Sequence, residues 1–148
     1  MEVYGGIMSR SFYHGGVNSD FTINSIDIVR PAIKQQNKNN SYIGFYVFGE
    51  ENRDAAFRYA EVGNKNVVKL NMNDDLRIYE LPPFTITRIT KEQIQRFQDL
   101  GYDMICGKML GKMEYVLLAK DKIESMEIIP FNERYKLDND EISMGRSR

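Results

Sequence analysis

In GFYVFGEENRDAAFRYAE, residues 44–61, a strand pattern leads directly into a helix pattern. The run 42–48 is rich in aromatic and β-branched residues, which is typical of a strand. The polar letters GEENRD then lead into AAFRYAEV, where Ala56, Tyr59 and Ala60 have helical apolar spacing. Acidic residues near its start and a glycine just past its end favour a helix here. The stretch therefore predicts a strand followed by a short helix.

A second helix is predicted to begin after Thr90. Thr90 and Gln93 have the spacing of a capping box, in which each side chain binds the backbone N–H of the other residue. Ile94, Phe97 and Leu100 follow at helical spacing, and a glycine comes next. This segment is expected to pack one apolar stripe against a sheet.

Short apolar runs predict further strands around these two helices. They are rich in β-branched residues and are bounded by turn-forming residues or prolines. The runs lie at 66–72, 76–81, 102–107, 113–119 and 123–130. Strands outnumber helices, so the predicted class is α+β with a mainly antiparallel sheet, either split or packed as a double sheet.

The composition indicates one globular domain over residues 1–148. Of the 148 residues, 42% are hydrophobic and 28% are charged, which argues against a long disordered or fibrous chain. One core normally serves a chain of this length. The most polar loop is predicted at 34–41, and the tail 131–148 is expected to be loosely held.

Charge and cysteine content exclude several classes of function. The formal net charge of -1 disfavours a protein that binds nucleic acid by neutralising phosphates, and leaves open a local basic patch. One histidine and one cysteine cannot build a usual zinc site, and Cys106 is expected to be a buried structural thiol. Apolar runs of membrane-span length and a signal-peptide core are lacking. The predicted location is cytoplasmic, with delivery as an effector, by a route without a cleaved signal peptide, as the alternative.

Three segments resemble those of a known family. FYHGG at 12–16, GFYVFGEENRDAAFRYAE at 44–61 and MEYVLLAKDKI at 113–123 resemble, in that order, the signature segments of the ADP-ribosyltransferase superfamily. They are most similar to the branch of poly(ADP-ribose) polymerases and diphtheria toxin. ITKEQIQRFQDLGYDMI at 89–105 resembles the helix and strand before the glutamate in small bacterial members. The resemblance covers about residues 11–130 and implies an ADP-ribosyltransferase-like fold, a split antiparallel β-sheet core with short flanking helices.

The resemblance implies an NAD+-dependent mono-ADP-ribosyltransferase that needs no metal, with His14, Tyr46 and Glu114 as candidate catalytic residues. His14 would hydrogen-bond the ribose or adenosine side of NAD+, and the backbone of Gly15 would approach the nicotinamide carboxamide. Tyr46 and Tyr59 would hold the cationic nicotinamide ring between their faces. Glu114 would stabilise the positive charge that develops on the ribose.

Each candidate residue also has a structural interpretation. A lone histidine such as His14 is commonly a surface or satisfied core residue. Tyr46 on an aromatic strand fits simple core packing, and Tyr59 fits a helix residue that faces the sheet. Glu114 fits an exposed charge at a strand end, because an unpaired buried carboxylate is unfavourable. Burial of Glu114 in a cleft would weaken that interpretation.

The chain departs from the family pattern at two positions. Arginine-modifying members often carry Glu or Gln two residues before the catalytic glutamate, where this chain has Lys112, so an arginine acceptor is disfavoured. Met104 stands where glycine is common. The short chain favours transfer of single units over polymer synthesis, as in a toxin or effector.

The acceptor is left open by the sequence, with protein favoured over nucleic acid. The nearest alternative function is an NAD+ glycohydrolase, in which water is the acceptor. Another is a non-catalytic module that binds NAD+, ADP-ribose or a protein.

Overall fold

The computed structural model describes residues 10–29 and 43–133. In these ranges the strands are β1 (Arg10–Val17), β2 (Phe45–Gly49), β3 (Asn66–Met72), β4 (Ile78–Glu80), β5 (Met104–Met109), β6 (Lys112–Leu117) and β7 (Ile123–Pro130). The helices are α1 (Arg53–Val62) and α2 (Lys91–Asp99), and 3₁₀ turns lie at Ile23–Ser25, Glu50–Asn52, Ile86–Arg88 and Phe131–Glu133. Neither helix is long and apolar enough to cross a membrane.

The strands of the described residues form one seven-stranded sheet. Their spatial order is β4-β5-β6-β2-β1-β3-β7. Neighbouring strands are antiparallel, except that β4 and β5 are parallel. The predicted α+β class with a mainly antiparallel sheet is confirmed for these residues.

The narrowest junction of the sheet lies at its centre, between β1 and β2. Two residue pairs join these strands, Phe12 with Gly49 and Tyr13 with Phe48, whereas β1 pairs with β3 along its length. On its other side, β2 pairs with β6. Within the described residues, β1 has no further backbone pair with β2 after Tyr13. The sheet therefore consists of two halves that are joined by one short ladder.

Apolar side chains pack on both faces of this sheet, and their removal from water is the main force that stabilises the fold. One face carries both helices. The cluster under α1 includes Tyr13, Phe48, Ala56, Phe57 and Ala60, and the cluster near α2 includes Ile86, Ile94, Ile105 and Val116. The other face packs Phe12, Phe45, Val47, Leu70 and Met72.

Local sequence signals located both helices closely. The Thr90 side chain accepts a hydrogen bond from the Gln93 backbone N–H at 3.1 Å, and Gln93 Oε1 accepts one from the Thr90 N–H at 2.9 Å, which confirms the capping box. α1 begins at Arg53, slightly before the predicted stretch, and ends before Gly63 as expected. The strand predicted at 102–107 begins two residues later, at Met104. The predicted loop at 34–41 and residues 134–148 of the predicted loose tail lie outside the described residues. The first part of that tail is not loose, because Phe131–Glu133 form a 3₁₀ turn and Phe131 packs on the cluster under α1.

Cys106 lies on β5 and is 5% exposed. Burial, with a smaller contribution from the charge of Glu80, raises the pKa of its thiol to about 11. A thiol that stays protonated at neutral pH is a poor nucleophile. The expected buried thiol is therefore confirmed.

Candidate active site

The strands that carry His14, Tyr46 and Glu114 are neighbours in the sheet. His14 lies on β1, Tyr46 on β2 and Glu114 on β6, and these strands have the spatial order β6, β2, β1. Side chains alternate along a strand, so His14, which is opposite Val68, shares the face of Phe12 and Phe45. Tyr46 and Glu114 lie on the other face. The structure therefore brings the three strands together but places His14 on the face opposite Glu114.

The imidazole of His14 reaches across the gap where the β1–β2 ladder ends. Its Nδ1 atom lies 2.6 Å from the carbonyl oxygen of Tyr46, and its ring stacks on Phe45 at 3.9 Å between centroids. A carbonyl oxygen only accepts hydrogen bonds, so Nδ1 must carry the proton. The other ring nitrogen, Nε2, is buried, whereas the sequence interpretation used this side chain to bind NAD+. His14 thus bonds β2 through its side chain, one residue beyond the last backbone pair of β1 with β2.

Two substitutions test whether His14 acts through its contact with β2. His14→Ala removes the partner of a half-buried carbonyl, so we expect it to lower the free energy of unfolding by about 1–3 kcal/mol. His14→Asn places an amide N–H near the position of Nδ1, and the Nε2 atom that it removes is buried, so it should retain most of the stability and most of the NAD+ affinity. Urea denaturation and NAD+ titration measure the two effects. Equal stability of parent and His14→Ala would contradict the proposed strand contact.

Gly15 lies directly beneath α1. A Cβ atom at this position would overlap the carbonyl oxygen of Ala56 and lie 3.1 Å from the Cβ of Tyr59. The absent side chain therefore allows the helix to pack against β1. The sequence interpretation gave close approach of NAD+ as the reason for this glycine, but the space on its Cβ side is occupied by the protein itself. Any approach of NAD+ must use the backbone edge of Gly15.

The two tyrosines are both neighbours of Phe48. Tyr46 is half-buried, donates its hydroxyl hydrogen to the Ile86 carbonyl at 3.3 Å, and lies two residues before Phe48 on the same sheet face. Tyr59 is 61% exposed, and its ring stacks on Phe48 at 6.0 Å with an interplanar angle of 18°. Tyr46 thus has a fixed hydroxyl, while Tyr59 presents its ring to solvent.

Glu114 lies on the same face of the sheet as Tyr46 and Phe48. It is paired with Gly107 of β5, and continuing the β2–β6 register by one residue brings it opposite Phe48. A Cβ atom on Gly107 would lie 3.1 Å from the Cβ of Ile86, so the turn that accepts the Tyr46 hydroxyl also covers this position. Glu114 is half-buried rather than exposed, and burial raises the pKa of its carboxyl group.

The raised pKa predicts how stability depends on pH. Because burial disfavours the charged form, the folded protein binds this proton more readily than the unfolded chain does between the ordinary and the raised pKa. The contribution of Glu114 to stability is therefore fully present below this window and is lost as the pH rises through it. We expect Glu114→Gln to have a higher urea midpoint than the parent at neutral pH and the same midpoint below the window. Identical midpoints at both pH values would contradict this expectation.

Sequence reasoning missed a polar network that holds the start of α1. The buried Tyr13 donates its hydroxyl hydrogen to Glu50 Oε1 at 2.9 Å, and Arg53 Nη1 lies 2.6 Å from Glu50 Oε2. Burial, together with Glu50, raises the pKa of Tyr13 to about 12. The sequence interpretation also missed Phe48, although the position of this residue two places after Tyr46 in a strand indicates that the two side chains share a face. The network fixes α1, and with it Tyr59, against β1 and β2.

Two open clefts in the described part of the chain lie away from these side chains. One is lined by residues 17–20 and 64–66, beyond the end of β1. The other lies on the sheet face opposite Glu114, and its lining includes Arg10, Gly49, Glu51 and Tyr115. No protein family, curated protein or solved structure gives a significant match to this chain.

Proposed function

We propose that this protein is an NAD+-dependent mono-ADP-ribosyltransferase, which moves ADP-ribose from NAD+ to an acceptor and releases nicotinamide. The observation that supports it most is the half-buried carboxyl group of Glu114, which shares a sheet face with Tyr46 and Phe48. A glutamate that serves only solubility is expected to be exposed, because burial of an unpaired carboxylate is unfavourable. A carboxylate beside aromatic rings suits a sugar that bears a cationic ring.

The reaction creates charge where Glu114 is placed to act. The bond between the ribose C1 atom and the nicotinamide nitrogen breaks, and its electron pair leaves with nicotinamide, which becomes neutral. Positive charge then develops on the ribose, and a carboxylate in a partly dehydrated site stabilises that charge more strongly than water does. Glu114 interacts with this charge in the transition state more than in bound NAD+, which is the requirement for catalysis.

The remaining candidates hold and orient NAD+. The faces of Tyr46 and Tyr59 attract the cationic nicotinamide ring of the substrate more than the neutral product. His14 acts by holding β1 beside β2, since Nδ1 donates to the Tyr46 carbonyl and Nε2 is buried on the sheet face opposite Glu114. Gly15 lies beyond the β1–β2 ladder, so this ladder does not use the backbone edge of Gly15 that faces β2.

Incubation of the purified protein with NAD+ and candidate acceptors tests this function. We expect release of nicotinamide together with attachment of ADP-ribose to an acceptor. Intact-mass spectrometry of the acceptor detects this attachment. Release of nicotinamide with free ADP-ribose as the sole other product would indicate an NAD+ glycohydrolase instead. Binding of NAD+ without nicotinamide release would indicate a non-catalytic module, and absence of both would remove the proposal.

Substitution of Tyr46 separates its ring from its hydroxyl. Tyr46→Ala removes the face that would contact the nicotinamide cation, so we expect its dissociation constant for NAD+ to rise about 10-fold, as is typical for loss of one cation–π contact. Tyr46→Phe keeps the ring and removes the hydroxyl that bonds the Ile86 carbonyl, so it is the matched control, with an affinity close to that of the parent. Calorimetric titration measures both. Unchanged affinity in Tyr46→Ala would exclude the stacking role.

A further inference from the structure

A cleft on the sheet face opposite Glu114 lies across the junction between β1 and β2. Arg10 comes two residues before Phe12 on β1, so the two side chains share a face, and Phe12 pairs with Gly49 of β2. Tyr115 of β6 packs edge-on against the Phe12 ring, with 5.0 Å between centroids. The cleft has a volume of about 280 Å³, just below the range for drug-sized ligands. It therefore suits a small molecule.

The cleft is lined by one positive charge, that of Arg10. Its guanidinium carbon lies 5.1 Å from the centroid of the Phe12 ring. Burial raises the pKa of the Tyr115 hydroxyl, and the nearby charge of Arg10 opposes this shift. Within the described residues, Arg10 forms no ion pair. Its guanidinium therefore retains N–H donors, which can bind a carboxylate through two parallel hydrogen bonds.

The cleft is also lined by the negative charge of Glu51, which follows β2. Its carboxylate lies over Gly49, because a Cβ atom on that glycine would lie 2.7 Å from Oε1 and 3.0 Å from Oε2. Glu51 is exposed and forms no ion pair in the ranges 10–29 and 43–133, whereas its neighbour Glu50 pairs with Arg53. Arg10 and Glu51 thus line one cleft without neutralising each other.

We propose that this cleft binds a free α-amino acid with an apolar side chain, whose carboxylate contacts Arg10 and whose ammonium group contacts Glu51. A ligand with only a negative charge would meet the like charge of Glu51, and one with only a positive charge would meet Arg10. A zwitterion meets an opposite charge at both ends. The half-buried ring of Tyr115 beside Arg10 favours an apolar side chain on the ligand. The cleft lies opposite the candidate catalytic carboxylate, so this inference does not depend on the proposed function.

Such a ligand would connect the two halves of the sheet. Arg10 belongs to β1 and Glu51 follows β2, and these strands are joined by two residue pairs. A ligand that binds only the folded chain raises its stability. We therefore expect L-leucine to raise the urea midpoint of the protein.

The direct test is calorimetric titration of the full chain with L-leucine, N-acetyl-L-leucine and L-leucinamide. The acetyl derivative lacks the ammonium group, and the amide lacks the carboxylate. We expect each derivative to bind at least about 10-fold more weakly than leucine, because each loses one hydrogen-bonded charge contact. In NMR spectra, the backbone amide signal of Gly49 should shift when leucine is added, because this residue lines the cleft.

Two variants assign the two charges of the ligand. Arg10→Gln should bind leucine at least about 10-fold more weakly and should no longer prefer leucine to leucinamide. Glu51→Gln should lose the preference for leucine over N-acetylleucine in the same way. The matched controls Arg88→Gln and Glu127→Gln remove exposed charges outside the cleft and should bind leucine as the parent does. Cooperative urea denaturation without ligand shows that each variant is folded.

Several results would overturn this inference. These are absence of binding of every apolar amino acid at millimolar concentration, equal affinity for leucine and its two derivatives, or unchanged leucine affinity in both Arg10→Gln and Glu51→Gln. Binding of leucine without a shift of the Gly49 signal would also overturn it, because the ligand would then lie elsewhere. Nicotinamide release is not involved in any of these measurements, so the proposed function is tested separately.

Discussion

Replacement of Glu114 by glutamine is expected to lower the turnover number for nicotinamide release about 10²–10³-fold, which is typical for loss of one group that stabilises charge in a transition state. Glutamine has nearly the same shape but lacks the negative charge. NAD+ affinity should change much less, because the ribose acquires its positive charge only as the bond to nicotinamide breaks. Steady-state kinetics give turnover, and calorimetric titration of NAD+ gives affinity.

The matched control for this experiment is Glu127→Gln. Glu127 is an exposed glutamate on β7, and its loss changes the net charge by the same amount. It should leave turnover unchanged. The activity of the parent requires the ionised form of Glu114, and burial raises the pKa of this group. As the pH decreases, activity should therefore be lost at a higher pH than it would be with an ordinary glutamate pKa. Equal turnover of Glu114→Gln and the parent would exclude the proposed role of the carboxylate.

Replacement of Gly15 by alanine is expected to have the largest effect on stability. The added Cβ would overlap the Ala56 carbonyl oxygen, which belongs to the helix backbone and cannot rotate away as a flexible side chain does. α1 must therefore move off β1, and we expect the free energy of unfolding to fall by about 3 kcal/mol, the upper part of the range for overpacked cores. Tyr59 would move with the helix, so NAD+ affinity should fall as well.

Gly63→Ala is the control for this substitution. Gly63 lies just after the same helix, and a Cβ there would make only ordinary contacts with the Lys65 side chain. Its effect should stay within about 0.5 kcal/mol, as for most surface substitutions. Denaturation by urea, followed by circular dichroism, compares the two variants. Similar stability of both would mean that α1 does not pack on β1 as closely as described here.

The helices and most strands were predictable because their signals are local. The capping box of α2 depends on Thr90 and Gln93, whose atoms meet within one helical turn, so residue type and spacing suffice. β3 and β7 have the bounds that their apolar runs predicted. The two-residue shift of β5 shows that strand ends depend on the neighbouring strands with which they pair.

The candidate site was only partly predictable, because its geometry depends on contacts between segments that are far apart in the chain. Residue types and their order pointed to His14, Tyr46 and Glu114, yet whether their strands are neighbours depends on pairing between distant segments. The protonated nitrogen of His14 follows from a carbonyl on another strand. The packing role of Gly15 follows from its contact with α1, a helix that lies after β2 in the chain.

The residue pattern alone determined an α+β domain with two short helices, because propensity, capping and the spacing of apolar residues act between residues that are close in sequence. The narrow junction between β1 and β2, the half-buried state of Glu114 and the cleft lined by Arg10 and Glu51 were decided only on folding. They depend on strand order, register and the position of α1, since burial and charge pairing arise between segments that are far apart in the chain.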